Sequence, residues 1–352
     1  MAMLAAQIDA VIGVDTHTDS HTACLVNHLG SQLAVVTVDA DPEGYKTLLA
    51  WALERSPGPR LVWAVEGCRS HGAGLLRALQ QAGQLVVEAG QPQRASRRSG
   101  GKSDPVDAGR AAREVLAAQA HAQPRTDGDR EALRILLVTR GHATTARTAA
   151  VNTLKALLLT APDQLRQPLR GLTTAAQVRS CAGLRVSTRQ PAAERVLCHS
   201  LRQLARHISI LDRELAANAR QLRGLVAAVM PALLNEPGVG PMSAAQLLVS
   251  WSHPGRFRSE AAFAALGGVS PLPASSGRVV RHRLNRFGDR QLNRALHTIT
   301  TWRMLHGHQP TSAYLARRRA EQKSDAEIRR CLKRYTARRL FRLIEAEALD
   351  RP

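Results

Sequence analysis

Four carboxylic acids stand where predicted strands end or a predicted helix begins. Asp15 closes the run AVIGVD, Glu66 follows LVWAV, and Asp104 and Asp107 lie three apart in GKSDPVDAGRAA. Neighbouring strand ends meet at one edge of a sheet, and residues three apart share a helix face, so we expect the four carboxylates to converge. Cations relieve their mutual repulsion, and oxygen ligands of this type bind Mg²⁺ or Mn²⁺. The pattern therefore predicts a metal site able to promote phosphodiester chemistry.

Asp104 and Asp107 also have a purely structural interpretation. Asp104 is suited to cap a helix, Pro105 to take the first helical position, and Asp107 to reach back to the cap. Taken alone, such a motif is more often a helix start than a metal site. We expect both roles here, because Asp15 and Glu66 reach the same sheet edge.

A second group of reactive residues lies in the last third of the chain. Ser275, Ser276 and Gly277 are followed by five arginines, at positions Arg278, Arg281, Arg283, Arg286 and Arg290. A serine oxygen attacks phosphorus only when it is deprotonated and when the phosphoryl charge is stabilised, which guanidinium groups do. On spacing alone, a phosphate-binding loop without a covalent role is the preferred interpretation.

The segment LLNEPGVGPMSAAQLL predicts two helices joined by a turn at Gly238 and Gly240. In a helix-hairpin-helix, backbone N–H groups at the start of the second helix grip a DNA phosphate without reading sequence. An ordinary turn explains the glycines equally well, so both interpretations stay open.

The charge is unevenly distributed along the chain. The net charge is +21, yet residues 1–125 contain 12 basic and 12 acidic residues, so the whole excess belongs to residues 126–352. Nucleic acid is therefore the expected partner of the second part. Aromatic residues make up only 3% of the chain, too few for base-stacking platforms, so we expect phosphate contacts to dominate.

Composition argues against membranes, export and zinc. No apolar run is long enough to span a bilayer, and MAMLAAQIDA lacks the basic start of a signal peptide, so we expect a cytoplasmic protein without a membrane partner. The five cysteines have no CxxC spacing, which favours reduced thiols. His17 and His21 have no partners at zinc spacing and are assigned to solvent or packing.

The order of predicted elements divides the chain into three domains. Residues 1–125 follow the order β-β-β-α-β-α-β-α with the first three strands antiparallel, which is the layout of a ribonuclease H-like α/β domain. Residues 126–230 predict an α domain with long helices over 129–161 and about 193–230. Residues 231–352 contain the glycine turn, the serines and a basic helical tail, and form a third, mostly α domain.

The helix over 193–230 has a heptad seam typical of a coiled coil. Apolar residues recur every three or four positions from Leu197 to Val229, and Asn218 is the one polar member of the series. A polar residue in such a seam fixes register and oligomeric state. Pairing with a second chain and pairing with the 129–161 helix both stay open, because the latter carries Arg140 and Arg147 on its seam.

Five stretches carry a resemblance to a known family: VIGVDTHTDSHTA, WAVEG, KSDPVDAGRAA, EPGVGPMSAAQLL and GGVSPLPASSGRVVRHRLNRFGDRQLNRALHTI. With them the chain resembles, from end to end, the DEDD transposases of the one-ten family of insertion sequences. The resemblance implies a RuvC-like domain whose DEDD set is Asp15, Glu66, Asp104 and Asp107. It also implies that Ser276, with Ser275 as the alternative, is the nucleophile. Thr18 and Phe287 stand where many members have lysine and glycine.

The resemblance further implies partners and a cellular setting. In the family, a bridge RNA encoded beside the transposase pairs with donor and target DNA. The active site joins the RuvC-like domain of one subunit to the serine domain of another, which implies a homo-oligomer of at least two chains. The implied protein is a Mg²⁺-dependent, RNA-guided recombinase acting at the nucleoid of a prokaryotic cell.

Two other functions fit parts of the pattern. A Holliday-junction resolvase or another RNase H-like nuclease would use the four acids alone and would not need Ser276. A non-catalytic nucleic-acid-binding scaffold would need neither the serine nor the acids. The presence of all four acids argues against the scaffold.

Overall fold

A computed structural model describes residues 7–90, 103–118, 121, 123–125, 127–187, 189–274, 282–283, 285 and 287–349. The chain divides into two units, Met1–Arg125 and Thr126–Pro352. Together they combine an α/β part with an α part, as the sequence predicts at this coarse level.

The first unit is built on a five-stranded mixed sheet in the order β3-β2-β1-β4-β5. Its strands are β1 (Ala10–Thr16), β2 (Ser20–Asn27), β3 (Gln32–Asp39), β4 (Leu61–Val65) and β5 (Leu85–Glu88). The first three strands pair antiparallel, whereas β4 and β5 extend the sheet from β1 in parallel. The predicted antiparallel start is therefore confirmed. The central strands β1 and β4 are almost continuously apolar because both of their faces are covered.

Three helices cover the two faces of this sheet: α1 (Pro42–Arg55), α2 (Ala73–Gln81) and α3 (Asp104–Ala117). Residues of α1 and α2 share one core with the fully buried Trp63 of β4. On the opposite face, α3 contributes the small buried residues Ala108, Ala111 and Ala112. Small side chains let α3 lie close to the sheet, which matters for the site described below.

The start of α3 differs from the prediction by one residue. The cap is Ser103, in extended conformation with φ −149°, and Asp104 is already the first helical residue. The shift is possible because Pro105, which lacks an N–H, fits anywhere in the first turn, where N–H groups have no intrahelical partner. Asp104 is thus not the cap but a first-turn acid, a position that still favours the start of the helix through the helix dipole.

The second unit begins with a helical hairpin of α4 (Asp129–Leu159) and α7 (Ala192–Val229), joined through α5 (Asp163–Arg166) and α6 (Thr174–Ala182). The long helices pair with each other within the chain. Asn218 Nδ2 donates to Leu136 O at 2.9 Å, and Arg140 Nη1 donates to Leu215 O at 2.9 Å. Arg140 and Asn218, the polar residues that left the helix pairing undecided in the sequence, therefore bond across this hairpin.

The rest of the second unit is a helical bundle with one short pair of strands. Its elements are α8 (Ala232–Asn235), α9 (Pro241–Trp251), α10 (Glu260–Leu266), β6 (Leu272–Pro273), β7 (His282–Arg283), α11 (Arg290–Leu305), α12 (Gln309–Ala320) and α13 (Asp325–Leu349). Leu133 of α4 and Leu222 of α7 share a core with Phe263 of α10 and Phe341 of α13. The hairpin is thus continuous with the bundle, and a domain boundary near residue 230 stays a prediction.

The described helices include none that could cross a lipid bilayer, since none is both long and apolar enough.

Candidate active site and nucleic-acid interface

Asp15 and Glu66 lie side by side at one edge of the five-stranded sheet. In the parallel pair of β1 and β4, Val14 is in register with Val65, and Glu66 N donates to Val14 O at 3.1 Å. Thr16 Oγ1 donates to Glu66 O at 3.0 Å, which ties the first residue after β4 to the end of β1. The structure thus brings these two acids together.

Gly13 sets the distance between this edge and the acids of α3. A Cβ at Gly13 would lie 2.0 Å from Ala108 O and 2.7 Å from Ala112 N, so β1 and α3 touch backbone to backbone. Gly13 and Asp15 share one face of β1, because side chains alternate along a strand. Asp104 and Asp107 occupy the turn of α3 just before Ala108. The close approach at Gly13 therefore fixes the helix acids relative to the strand acid.

The structure adds His17, which the sequence assigned to solvent or packing: its side chain is 48% exposed, and it also contacts two of the acids. His17 Nε2 lies 3.2 Å from Asp15 Oδ2 and 3.5 Å from Asp104 Oδ1. One donor atom from each of these residues falls within 4.8 Å of the others, as a shared cation requires. The sequence could have indicated this contact. Side chains alternate along a strand, and continuing the alternation one residue past β1 places residues 13, 15 and 17 on one face. His21, by contrast, is buried and stacked on Tyr45, a packing role.

The acids repel one another strongly enough to perturb Glu66. Burial raises the pKa of the Glu66 carboxyl, and the charges of Asp15 and Asp107 raise it further. Both aspartates are themselves mostly buried, with side chains 13% exposed. Asp107 Oδ1 accepts a hydrogen bond from Arg110 Nη2 at 2.5 Å, which offsets only part of the repulsion. Asp15, His17 and Asp104 have donor atoms at a spacing that fits a divalent cation, and such a cation would relieve the remaining repulsion.

Only part of the second predicted constellation falls on described residues. Arg283 belongs to β7, Arg290 is the first residue of α11, and both side chains are exposed. The two serines and the other arginines lie outside the described residues: Ser275, Ser276, Arg278, Arg281 and Arg286. Because β6 and β7 pair antiparallel, with Pro273 opposite His282, the segment that carries the serines starts and ends at one place in the second unit.

The predicted turn at Gly238 is held by the helix that follows the serine segment. Gly238 has φ +77°, and a Cβ there would lie 2.9 Å from the Trp302 ring, so the position requires glycine on two grounds. Arg303 Nε donates to Pro237 O at 2.7 Å, and Arg303 Nη2 donates to Glu236 Oε2 at 3.0 Å. The turn is therefore a fixed part of the bundle.

The start of α9 presents free backbone donors beside this turn. Gly240 is the cap residue and Pro241 the first helical residue, and no side chain of the described residues caps the helix. The first N–H groups of a helix have no partner within it and attract anions. The element before the turn, α8, is a single helical turn of four residues, shorter than the sequence suggested.

Comparison with protein families gives two matches. Residues 12–161 match the IS110 DEDD transposase model, described as a transposase, and this range includes all four acids. Residues 230–316 match the transposase IS116/IS110/IS902 family, and this range includes the glycine turn, both serines and the arginines around them. No curated protein matches the chain significantly.

Proposed function

Because this chain belongs to the IS110 family of DNA transposases, we propose that it excises and inserts an insertion sequence by cleaving DNA with Ser276 at a site that includes the four acids. The observation that carries the proposal is the meeting of Asp15, Glu66 and the α3 acids at one sheet edge. A site of this kind suits phosphodiester chemistry.

We infer that the first unit is an RNase H-like, RuvC-like domain. Three antiparallel strands followed by two parallel ones, in the order β3-β2-β1-β4-β5, are the features of that fold. In such a domain the acids at the ends of β1 and β4 and at the start of α3 are the metal ligands. Asp15, Glu66, Asp104 and Asp107 occupy those places.

The same acids would hold Mg²⁺ or Mn²⁺, and His17 offers a nitrogen donor in addition. A bound divalent cation would supply the positive charge that stabilises a deprotonated serine oxygen and the phosphoryl group under attack. Arg110, paired with Asp107, would keep that carboxylate oriented. Arginine is no candidate for the base that deprotonates the serine, because its pKa is too high.

Ser276 would then act as the nucleophile. Its oxygen forms a bond to phosphorus while the bond from phosphorus to a DNA oxygen breaks, the serine proton is released, and the DNA oxygen leaves as a hydroxyl. The energy of the phosphodiester is retained in the serine–DNA bond. Attack by a second DNA hydroxyl reverses the step and rejoins the strands without an external energy source.

The partners follow from charge and from the family. The basic residues of 126–352 would bind donor DNA, target DNA and a bridge RNA that pairs with both, chiefly through phosphates. The turn at Gly238 and Gly240 with the uncapped start of α9 would act as a helix-hairpin-helix on one such phosphate. A homo-oligomer of at least two chains would supply the serine of one subunit to the acids of another.

The test compares Asp107→Asn with Asp163→Asn in a strand-exchange assay with Mg²⁺. Both aspartates form an ion pair with an arginine three residues later, but only Asp107 belongs to the acid cluster. Asp107→Asn should abolish strand exchange and leave nucleic-acid binding nearly intact, whereas Asp163→Asn should preserve both. Full recombination by Asp107→Asn would refute the proposal.

A further inference from the structure

The second unit contains a cavity of about 380 Å³ whose walls are strongly basic. It lies between the residues before β6, β7 itself, the end of α12 and the first turns of α13. Six cationic side chains and one carboxylate, Glu327, line it. We call this space the basic cavity. Its cations are Arg283, Arg318, Lys323, Arg330, Lys333 and Arg334.

The charges of the basic cavity are largely uncompensated within the described part of the chain. Glu327 offsets only one of the six positive charges; hydrogen bonds from the Ser324 hydroxyl at 2.8 Å and N–H at 3.0 Å, with the charges of Lys323 and Arg330, lower its pKa. Arg318 pairs with Glu321, outside the cavity lining. Lys333 has only a neutral partner, donating to Asn293 Oδ1 at 2.9 Å. Clustered cations without carboxylates repel one another unless an anion is bound.

Two side chains indicate that the anion sits inside the cavity and not on its surface. The Nε of Arg334 is buried and has no hydrogen-bond partner among the described residues. The positive charge of Arg334 is thus left uncompensated at the cavity wall, and an anion in the cavity would offset it. Burial, together with the charges of Arg329 and Arg330, lowers the pKa of the Lys333 ammonium. A bound anion would stabilise the charged form of Lys333 and so raise its pKa again.

The position of the cavity indicates which anion it takes. Arg283 and residues 268–271 line the cavity and flank the β6–β7 pair, from which the serine segment leaves and to which it returns. A DNA strand presented to those serines brings phosphates on both sides of the attacked one. Guanidinium groups bind phosphate oxygens in pairs, and the cavity has several.

We propose that the basic cavity binds a backbone phosphate of the DNA strand that is cleaved, close to the phosphodiester attacked by the serine. The assignment of the strand rests on the proposed function, but the phosphate contact itself is measurable without catalysis. Lys333 and Arg334 hold the phosphate from the interior, and the exposed Arg330 completes the site at its mouth.

The experiment measures the affinity of the full chain for a short DNA duplex over a range of salt concentrations. Lys333→Gln and Arg334→Gln should each weaken binding roughly tenfold and reduce the slope of log affinity against log salt by about 0.9, the value of one phosphate contact. The double variant should have the same slope as either single variant, because both side chains bind one phosphate. Arg330→Gln, at an exposed position, should act in the same direction without disturbing the fold.

Matched controls separate this site from general basicity and from catalysis. Arg342→Gln, on α13, outside the cavity and paired with Glu260, should change the slope less than the cavity variants, and Ser276→Ala should leave it unchanged. Inorganic phosphate should raise the thermal unfolding midpoint of the wild type more than that of Lys333→Gln. Three results would overturn the proposal. They are additive slope changes in the double variant, an effect of Arg342→Gln equal to that of the cavity variants, and cavity variants that lose affinity for an RNA duplex but not for DNA. A failure of Ser276→Ala to block cleavage would instead count against the proposed function alone.

Discussion

His17 places a nitrogen donor among oxygen donors at the sheet edge, within 3.5 Å of both Asp15 and Asp104. Imidazole suits Mn²⁺ better than Mg²⁺, which prefers oxygen ligands and water. His17 would therefore influence which of the two ions the site selects, in addition to the influence of the total charge of the acids.

Replacing His17 by alanine should weaken Mn²⁺ binding by at least roughly tenfold while changing Mg²⁺ binding little. Calorimetric titration of the full chain without nucleic acid measures both ions directly. His28→Ala, at an exposed position in the turn between β2 and β3, is the control and should bind both ions as the wild type does. Equal losses for the two ions would show that His17 does not contact the metal.

The choice between Ser275 and Ser276 is also decided at the scale of single residues. Incubation with a nicked DNA substrate should trap a protein–DNA adduct that survives denaturant, with the attachment on Ser276. Ser276→Ala should prevent it and Ser275→Ala should not. Under the proposed function the serine and the acids act as one unit, so Ser276→Ala combined with Asp107→Asn should be no worse than either alone. Mass spectrometry that places the adduct on Ser275 would contradict the assignment.

At the scale of elements, Glu236 joins three parts of the second unit. It precedes the Gly238 turn, accepts from the buried Arg303 of α11, and pairs with Arg339 of α13 at 2.8 Å. Burial alone would raise the pKa of Glu236, but hydrogen bonds and charges from Arg339 and Arg303 lower it overall. The position of the turn depends on this carboxylate being ionised.

Glu236→Gln should therefore destabilise the second unit by about 3–5 kcal/mol, because Arg303 would be left buried without its charge partner. The wild-type stabilisation should be complete above pH 4.5, the ordinary pKa of the carboxyl, and should be lost as the pH falls through the lower folded pKa. Urea unfolding over this pH range measures both effects. Glu321→Gln, at the exposed pair with Arg318, should cost about 1 kcal/mol or less.

Some elements could be predicted from the sequence because their determinants are local. The apolar runs of β1 to β5 and the Asp41 cap of α1 are of this kind, and Asp41 Oδ1 does accept from Gly44 N at 2.7 Å. The partner of the α7 seam could not be predicted, because a heptad pattern is the same whichever helix covers it. The contact of His17 with Asp104 joins residues far apart in sequence and depends on how closely α3 packs. The basic cavity was hidden for the same reason, since its cations come from separate elements.

At the scale of the whole molecule, the two units differ in charge. The acids belong to a unit with balanced charge, whereas the entire excess of +21 lies in the other. Because basic and acidic residues balance in this unit, no excess of positive charge opposes the binding of a cation by the acids. The proposed function therefore assigns nucleic-acid binding and metal binding to different parts of the chain.

Binding of the full chain to nucleic acid should accordingly weaken by about three orders of magnitude between roughly 50 and 200 mM salt. Arg290→Gln and Arg294→Gln, at exposed positions of α11, should reduce the salt dependence. Lys46→Gln and Arg55→Gln, exposed on α1, should not. Fluorescence anisotropy with a labelled duplex gives all the slopes, and a flat response in the wild type would contradict the expectation.

The contact of Gly13 with the backbone of α3 bears on how copies of such an element decay in a genome. Every substitution of Gly13 adds at least a Cβ, which would fall 2.0 Å from Ala108 O. The helix must then move, carrying Asp104 and Asp107 away from Asp15. A copy can lose transposition in this way while its DEDD residues remain intact. Counting those residues in a genome would therefore overstate how many copies still move.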